Sequence, residues 1–486
     1  MSYRRIGSFP LVWGSEVHSQ VPSRRRVSRS QLVQNLAFAG VPASKPALTY
    51  NDCRIQKATG PNLNDKPNRQ RRGVASSETA REINRDIVLH AIHRHQPVSR
   101  ADLARLTGLQ PSTVSVIIGL LIDEGWVLPG TLGRLPRGRR PTFVTLNDRH
   151  VTLAIDLRPG SASLAVVDIN GRFLSRESVP LAAQRDSKEE VHQAVMKIAE
   201  AARALQSTFR ERSFAGVGVS VSGRVDQKTH NVLFAPNVSW MQVDIHSELQ
   251  RVLESPIELE NAANACLLAE RWFGNYGEAE NAIVVSVSDG LGTALLIDGR
   301  LARGKDDMAG EFGHMPIEQS GPVCGCGNTG CWETFASNRA ALRFYRELAP
   351  ESTIGTFKEL LDLATGGDIR ALRSIDKMAT YLARGLTIMV AGLAPELVII
   401  VGDCTALWSR ICPILESEII AKSFTSHRPR IVAALDGDAA RLRGAAALAL
   451  HKVLFTREEI EPLDQQTKDQ AVALAVPSGA ELEFLR

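Results

Sequence analysis

The sequence predicts an α/β protein in which a small helical module precedes a larger domain of strands and helices. Three observations support this arrangement. Apolar residues recur at helical spacing from about residue 81 to 124, and residues 151–179 have the pattern of consecutive strands with a turn at Asn170 and Gly171. At 486 residues with 44% hydrophobic side chains, the chain is long enough for two or three domains with buried cores.

The charges divide along the chain. Residues 1–150 carry 23 Lys and Arg against 10 Asp and Glu, whereas the other 336 residues carry 34 against 43. A basic front joined to an acidic remainder indicates a module that binds a polyanion. Residues 1–78 mix Ser, Pro, Asn and Arg without periodicity, which predicts a disordered basic extension. Two interpretations of it stay open: an arm that adds affinity for nucleic acid, and sequence upstream of the start codon in use.

The helical module contains three predicted helices. Ser99 is expected to cap the second helix, and Gly108 is expected to end it in the left-handed conformation. Pro111 suits the first turn of the third helix, which extends to about Glu124. The predicted apolar faces consist of Ile83, Ile87, Val88, Ala91, Ile92, Leu103, Ala104, Leu106, Val114, Ile117, Ile118 and Leu121.

Two helices joined by a short turn with glycine are typical of the helix-turn-helix, whose second helix lies in the DNA major groove. Small polar side chains suit the start of that helix, because they approach phosphates and base edges without clashing. The alternative is a three-helix bundle with no role in DNA binding. The candidate groove-facing residues are Gln110, Ser112, Thr113 and Ser115.

Residues 133–147 predict a β-hairpin wing beyond the third helix. Arginines at its tip suit contacts with phosphates or with a narrow minor groove. The winged helix-turn-helix would then span residues 80–148 and bind a double-stranded DNA operator, with a homodimer or homotetramer reading paired half-sites. The candidates at the wing tip are Arg134, Arg137, Arg139 and Arg140.

One loop-rich segment, residues 314–332, holds a histidine and three cysteines. Four soft ligands this close together predict a tetrahedral, structural zinc site, with His314, Cys324, Cys326 and Cys331 as ligands. The alternative is a disulfide or free thiols, although three cysteines cannot pair evenly. The other cysteines are scattered singly, as in a reducing compartment, and no apolar run is long enough to span a membrane, so a cytoplasmic location is expected.

The words AGEFGH, ending at His314, and CWETFAS, beginning at Cys331, resemble the ROK family of bacterial sugar kinases and sugar-responsive repressors. The resemblance extends over about residues 80–455. It implies a two-lobed actin-like ATPase (ribonuclease H-like) sugar-kinase fold for residues 150–455, and sugar contacts from Glu311, His314 and Glu333. The winged module also resembles that of ROK repressors, which ROK kinases lack.

Two departures from the ROK kinase pattern indicate that the chain does not transfer phosphate. In the kinases a glycine pair and a threonine follow the first-strand aspartate, whereas Asp156 is followed here by Leu, Arg158, Pro159 and Gly. Pro159 has no N–H to offer a phosphate and stiffens the turn. The kinases also carry a general-base aspartate at the position of Ala262, and losing positioned base catalysis typically costs on the order of 10²–10⁴ in rate.

The remaining polar residues suit a receptor for a sugar or sugar phosphate, which needs several fixed donors and acceptors in a concave site. The sequence therefore predicts a sugar-responsive DNA-binding transcriptional repressor of carbohydrate uptake or catabolism genes, not an enzyme, with a loosely ordered tail at residues 457–486. The alternatives are an ATP-dependent sugar kinase with an appended DNA-binding domain and an inactive scaffold without a ligand. The sugar-binding candidates are Glu311, His314 and Glu333, together with Gly223, Asn237 and Asn261, which also have explanations as turn or buried residues.

Overall fold

The computed structural model describes residues 77–132, 142–182, 187–235, 244–274, 279–422, 428–434 and 437–454. All of them belong to one unit, Gly73–Arg486. The predicted tail at residues 457–486 lies outside the described residues. The predicted extension lies outside them too, apart from residues 77 and 78, which begin the first helix.

Three helices and a three-stranded antiparallel sheet form an N-terminal winged helix-turn-helix. Its elements are α1 (Ser77–His95), β1 (Val98–Ser99), α2 (Arg100–Thr107), α3 (Pro111–Asp123), β2 (Val127–Leu132) and β3 (Thr142–Leu146), with strand order β1-β3-β2. The Ser99 side chain accepts a hydrogen bond from the Asp102 N–H at 3.1 Å and Gly108 has a φ of 71°, so both predicted ends of α2 are confirmed. Across the described ranges no single helix is long and apolar enough to cross a membrane, although α2 and α3, bent by 118°, pass that test as a pair.

The core of this domain differs from the predicted one at three positions. Val88 and Ile92 are buried as predicted, but Ile87 is 37% exposed and Leu89 is buried instead. Leu89 faces inward because α1 packs against the larger domain as well as against its own domain, and the spacing of apolar residues did not reveal that second contact. Leu106 is also exposed, since α2 is short and only Leu103 on it is fully buried.

Two lobes with the same strand arrangement make up the larger domain. In each lobe three consecutive antiparallel strands are followed by two parallel strands, and the strand order numbered within the lobe is 3-2-1-4-5. Ile155 pairs with Val219 at the centre of the first sheet, and Val285 pairs with Ile400 at the centre of the second. This repeated topology confirms the predicted two-lobed, actin-like fold.

The helices of each lobe cover the faces of its sheet. The first lobe contains β4 (His150–Leu157), β5 (Ser161–Asp168), β6 (Phe173–Pro180), α4 (Lys188–Thr208), β7 (Ser213–Val221), β8 (Arg224–Val225), β9 (Val232–Phe234), α5 (Ile245–Gln250) and β10 (Ile257–Asn261). Helix α6 (Ala262–Trp272) leads into the second lobe. The second lobe contains β11 (Ala282–Val287), β12 (Leu291–Ile297), β13 (Arg300–Leu301), α7 (Glu333–Ala336), α8 (Asn338–Leu348), α9 (Phe357–Thr365), α10 (Ile369–Leu393), β14 (Leu397–Val401), α11 (Trp408–Lys422) and β15 (Arg430–Ala433), and the chain continues into α12 (Ala440–Leu454).

Helices α6 and α12 pack against each other between the two sheets. A Cβ atom on Gly444 of α12 would lie 2.4 Å from the backbone of Ala265 of α6, so only glycine allows this close crossing. The C-terminal ends of both helices pack against the N-terminal domain. The Trp272 ring stacks on His93 of α1 with 4.4 Å between centroids, and Leu454 of α12 lies in the same apolar cluster as Trp272.

Acidification should loosen this junction. Burial lowers the pKa of His90 to about 3, of His93 to about 4 and of His451, on α12, to about 4. Because an unfolded histidine titrates near pH 6.5, each imidazole contributes stability that is present above about pH 6.5. This stability is lost as the pH falls toward about 4 for His93 and His451 and toward about 3 for His90. For His90 alone the loss at pH 5 is about 2 kcal/mol.

Thermal unfolding between pH 7 and pH 5 checks this expectation. The unfolding midpoint should fall over that interval, and the fall should be smaller in His90→Gln, which cannot gain a proton. A midpoint that does not change from pH 7 to pH 5 would show that these imidazoles are not held neutral in the folded chain.

Candidate functional site

A cleft of about 330 Å³ lies between the two lobes. It is bordered by the residues that follow the carboxyl ends of β4, β7, β11 and β14, a usual place for ligands in open α/β sheets. Five of the six predicted sugar contacts line it, whereas Asn237 lies outside the described residues. The five are Gly223, Asn261, Glu311, His314 and Glu333.

Asn261 and Gly223 build the wall of the cleft. Asn261 is the N-cap of α6, since its Oδ1 accepts a hydrogen bond from the Ala263 N–H at 2.8 Å. Its Nδ2 donates to the Gly223 carbonyl at 2.8 Å, and Gly223 has a φ of 156°. Both residues therefore have structural roles, although the second N–H of the Asn261 amide remains available to a ligand.

Glu311, His314 and Glu333 form a polar wall of the cleft. Glu311 Oε2 lies 3.7 Å from His314 Nε2. Glu333 is 5% exposed, and its Oε2 accepts a hydrogen bond from the Leu291 N–H at 3.1 Å. Burial raises the pKa of the Glu311 carboxyl, although His314 and Arg224 nearby act to lower it. Two carboxyl groups and an imidazole arranged in this way can bind several hydroxyl groups of one small ligand.

His314, Cys324, Cys326 and Cys331 form a cluster that could hold a metal ion, because their ligand atoms all lie within 4.8 Å of one another. Cys324 Sγ lies 3.4 Å from His314 Nδ1, and Cys326 Sγ lies 3.7 Å from Cys331 Sγ. Sulfurs bonded at about 2.3 Å to a tetrahedral ion are about 3.8 Å apart, so these distances fit one. The Cys326–Cys331 distance also excludes a disulfide between them, which needs about 2.05 Å.

The His314–cysteine cluster and the cleft are held by shared contacts. Cys324 Sγ lies 3.6 Å from Glu333 Oε1, so a cluster side chain contacts a cleft side chain directly. Between Cys331 and Glu333 stands Trp332, which is fully buried and donates from Nε1 to the Tyr381 carbonyl at 2.9 Å. This anchor positions both neighbours. A change in the cluster should therefore displace residues that line the cleft.

An ion network occupies the turn after β4, residues 158–160, which is called the phosphate turn here because the resemblance to the kinases implies phosphate binding at this position. Asp156 is fully buried and pairs with Arg158 at 2.7 Å and with Arg441 of α12 at 2.7 Å. Burial alone would raise the pKa of Asp156, but the Arg441 and Arg158 guanidinium groups hold it below its usual range. Pro159 lines the same end of the cleft. The arrangement agrees with the expectation that this turn does not suit a phosphate.

Three arginines of the cleft were not predicted: Arg224, Arg339 and Arg441. Arg441 stands 285 residues after Asp156 in an otherwise ordinary packing helix, so no local signal could have revealed their pairing. Arg339 could have been predicted from the sequence, because its partner is nearby along the chain. It follows Glu333 by six residues, and its guanidinium lies 3.4 Å from the Glu333 carboxylate.

The predicted DNA-facing residues differ in exposure on α3. Ser112 is exposed and Thr113 is half-buried, while the Ser115 hydroxyl donates to the Pro111 carbonyl at 2.8 Å. Gln110 is the N-cap, without a capping hydrogen bond from its side chain. Gln110 and Ser112 are the exposed members of the set, whereas Thr113 and Ser115 are half-buried. The four arginines predicted at the wing tip, Arg134, Arg137, Arg139 and Arg140, lie outside the described residues.

Both domains match known protein families. The ROK family model matches residues 152–452, which is more than half of the chain. The chain belongs to the ROK family. Ahead of that match, the MarR family model matches residues 87–140 in the winged helix-turn-helix.

Curated relatives align with both domains of this ROK protein. The xylose repressor of Bacillus spizizenii is 29% identical over 354 residues, which cover 72% of this chain and 90% of the relative. The DNA-binding transcriptional dual regulator NagC of Escherichia coli is 26% identical over 394 residues, which cover 78% of this chain and 95% of the relative. Both alignments therefore include residues outside the segment 152–452 that the ROK family model matches.

Solved ROK structures share the fold. A ROK family transcriptional regulator, described as a homolog of the E. coli MLC protein, superposes with a TM-score of 0.64 at 24% identity and covers 81% of this chain and 99% of its own. A ROK family glucokinase from Streptomyces griseus, in complex with glucose and AMPPNP, superposes with a TM-score of 0.55 at 28% identity. It covers 98% of its own chain but 61% of this one, so this ROK protein has a region that the glucokinase lacks.

Proposed function

We propose that this ROK protein is a sugar-responsive DNA-binding transcriptional repressor of genes for carbohydrate uptake or catabolism. The observation that carries the proposal is the joining of a MarR-type winged helix domain to a ROK domain in one chain. Relatives that align over 72% and 78% of the chain are named a repressor and a transcriptional regulator. The repressor would act as a homodimer or homotetramer on paired half-sites of double-stranded DNA, through the exposed start of α3 and the wing arginines.

The effector would be a sugar or sugar phosphate bound in the cleft. Glu311, His314 and Glu333 would accept or donate hydrogen bonds to its hydroxyl groups, with Asn261 and the Gly223 turn closing one side. Buried, hydrogen-bonded polar groups of this kind reject ligands that cannot pair with them. The polar character of the cleft therefore supports a polyhydroxylated ligand.

The metal cluster would hold structural zinc through His314, Cys324, Cys326 and Cys331. Thiolate and imidazole donors at tetrahedral spacing are the set that Zn²⁺ prefers, and four protein ligands close the site to catalysis. Bound zinc would supply folding free energy to the loop that carries His314 and precedes Glu333. This assignment makes the ion a support for the effector cleft.

A signal from the cleft can reach DNA through α6 and α12. Asn261 and Ala262 line the cleft at the start of α6, and Trp272 at its end packs on α1 of the winged helix domain. Arg441 lines the cleft at the start of α12, and Leu454 at its end accepts a hydrogen bond from Arg85 of α1 at 2.5 Å. Two closely packed helices thus join the effector site to the DNA-binding domain, which supports coupling between them.

A sugar kinase with an appended DNA-binding domain is the second candidate. The similarity to the glucokinase favours it, but two features of the cleft do not. Ala262 stands at the first residue of α6 and has no group that could accept a proton. Asp156 is committed to Arg158 and Arg441 at the end of the cleft where the phosphate turn lies.

Two measurements on the full chain separate these candidates. Thermal shift against a panel of sugars and sugar phosphates should identify at least one ligand, and that ligand should lose most of its effect in Glu333→Gln. A coupled assay with the same ligand and ATP should then show no turnover above background. Turnover at ordinary kinase rates, roughly 1–100 s⁻¹, would establish the kinase instead, and a panel without any ligand would favour an inactive scaffold.

The Ala262→Asp variant should bind the sugar more tightly without becoming a kinase. A carboxylate that lines the cleft can accept a hydrogen bond from a sugar hydroxyl, and a bond to a charged group contributes about 1.5–3 kcal/mol. Phosphoryl transfer should stay near background, because Arg158 and Pro159 still obstruct the phosphate turn. Calorimetric sugar titration and the ATP assay measure the two effects, and Ala262→Asn is the uncharged control. Kinase turnover in Ala262→Asp would show that the phosphate turn is functional after all.

A further inference from the structure

Helix α3 presents an apolar face to solvent. Val116 is 64% exposed and Leu120 is 52% exposed. With the exposed Ser112 they recur every four residues and so share one side of the helix. The polar residues predicted to face DNA do not explain why this side is apolar. The opposite side is buried through Val114, Ile117, Ile118 and Leu121.

Gly119 lies on the same side, three residues after Val116. A Cβ atom added there would meet no heavy atom within 4 Å. No contact among the described residues therefore requires a glycine, which makes a helix interior less stable than alanine does. Close approach of a partner to the helix backbone would provide the missing reason.

The chemistry around this face favours DNA as that partner. The MarR family match spans α3, and the first 150 residues carry 23 Lys and Arg against 10 Asp and Glu. Ser112 exposes a hydroxyl in the first turn of α3, where backbone N–H groups and the helix dipole attract phosphate. The two turns from Ser112 to Leu120 span roughly 12 Å, which is about the width of the major groove.

We infer that Val116 and Leu120 read thymine C5-methyl groups in the major groove, and that Gly119 lets α3 approach the base edges closely. The thymine methyl is the apolar group that base pairs present in that groove, so it matches an exposed valine and leucine. Val116 is the primary contact, because it is more exposed and nearer the N-terminus of α3. The inference rests on the proposed DNA-binding function and adds which base chemistry the helix recognises.

The test uses DNA in which single methyl groups are removed. The full chain first enriches its preferred duplex from random sequences, and each thymine of that duplex is then replaced by deoxyuridine. One or two replacements per half-site should weaken binding about fourfold, which corresponds to about 0.8 kcal/mol for a buried methyl-sized group. In Val116→Ala the same replacements should cost much less, whereas Ile369→Ala, which truncates an exposed apolar side chain of α10, should keep the full methyl sensitivity.

Gly119→Ala provides a second, independent readout. It should leave the thermal unfolding midpoint unchanged or raise it, because alanine favours the helix, yet weaken DNA binding about tenfold, as one disturbed base pair does. Gly392→Ala is the matched control, since Gly392 in α10 also has no heavy atom within 4 Å of a Cβ. That variant should keep the DNA affinity of the wild type.

Each contrary outcome has a separate meaning. A chain that enriches no duplex lacks the proposed DNA-binding function, and the inference falls with it. A chain that enriches a duplex but is insensitive to every deoxyuridine, or equally sensitive in Val116→Ala, binds DNA without this methyl contact and overturns the inference alone. A changed oligomeric state in Val116→Ala, with methyl sensitivity intact, would reassign the face to contact between copies of the chain.

Discussion

The Trp272→Ala variant should still bind sugar in the cleft but should lose most of the sugar-dependent change in DNA affinity. Trp272 ends α6, whose first residues line the cleft, and its ring packs on His90 and His93 of α1. Removing a buried tryptophan side chain typically costs about 3–5 kcal/mol and leaves a cavity. The winged helix domain would then lose its rigid contact with α6. Sugar titration into protein bound to a labelled operator measures the effect.

Two controls separate coupling from general loss of stability. Trp272→Phe keeps an apolar ring at the junction and should retain most of the response. Trp408→Ala removes a half-buried indole from the start of α11, away from the junction, and should lose stability without losing the response. An unchanged response in Trp272→Ala, with sugar still bound, would rule out coupling through α6.

The Cys326→Ser variant should lose its zinc, much of the stability of the second lobe and the response to sugar. Cys326 Sγ lies 3.7 Å from Cys331 Sγ, but Cys326 is not among the residues that line the cleft. Any loss of sugar binding would therefore come through His314 and Glu333, which the cluster supports. Structural zinc contributes about 10–16 kcal/mol of apparent binding free energy in zinc-finger peptides, so the effect should be large. Metal analysis, thermal unfolding and sugar titration measure it.

A matched variant controls for the loss of a thiol. Cys412 is half-buried in α11 and is not a member of the cluster, so Cys412→Ser should keep the metal, the stability and the sugar response. Wild-type protein purified with reduced thiols and without stoichiometric zinc would overturn the metal assignment.

Local signals were sufficient to predict the helix-turn-helix and the convergence of His314, Cys324, Cys326 and Cys331. Ser99, Gly108 and Pro111 act through backbone preferences and hydrogen bonds within a few residues, so the helix ends could be predicted from adjacent sequence alone. Three of the four cluster residues share one short loop, which made their convergence visible. The N-cap role of Asn261 was not predicted, although asparagine before an apolar helical segment favours capping.

Contacts between distant segments could not be predicted in this way. The pairing of Asp156 with Arg441 joins the first strand of one lobe to the last helix. The sequence of neither segment indicates that the two side chains meet. The packing of Trp272 on α1 likewise depends on how two domains meet. This contact between the domains also explains the wrong prediction for Ile87. The spacing of apolar residues along α1 does not show whether the helix is buried on one side or on two.

The affinity of the full chain for its enriched DNA duplex, measured with and without the sugar that the cleft binds, tests the proposed function most directly. A repressor released by its sugar should bind the duplex about 5- to 150-fold more weakly when the cleft is saturated, as expected for a coupling free energy of 1–3 kcal/mol. In Glu333→Gln the DNA affinity should stay high at the same sugar concentration. A DNA affinity that no cleft ligand changes, in either direction, would contradict the assignment of this chain as a sugar-responsive repressor.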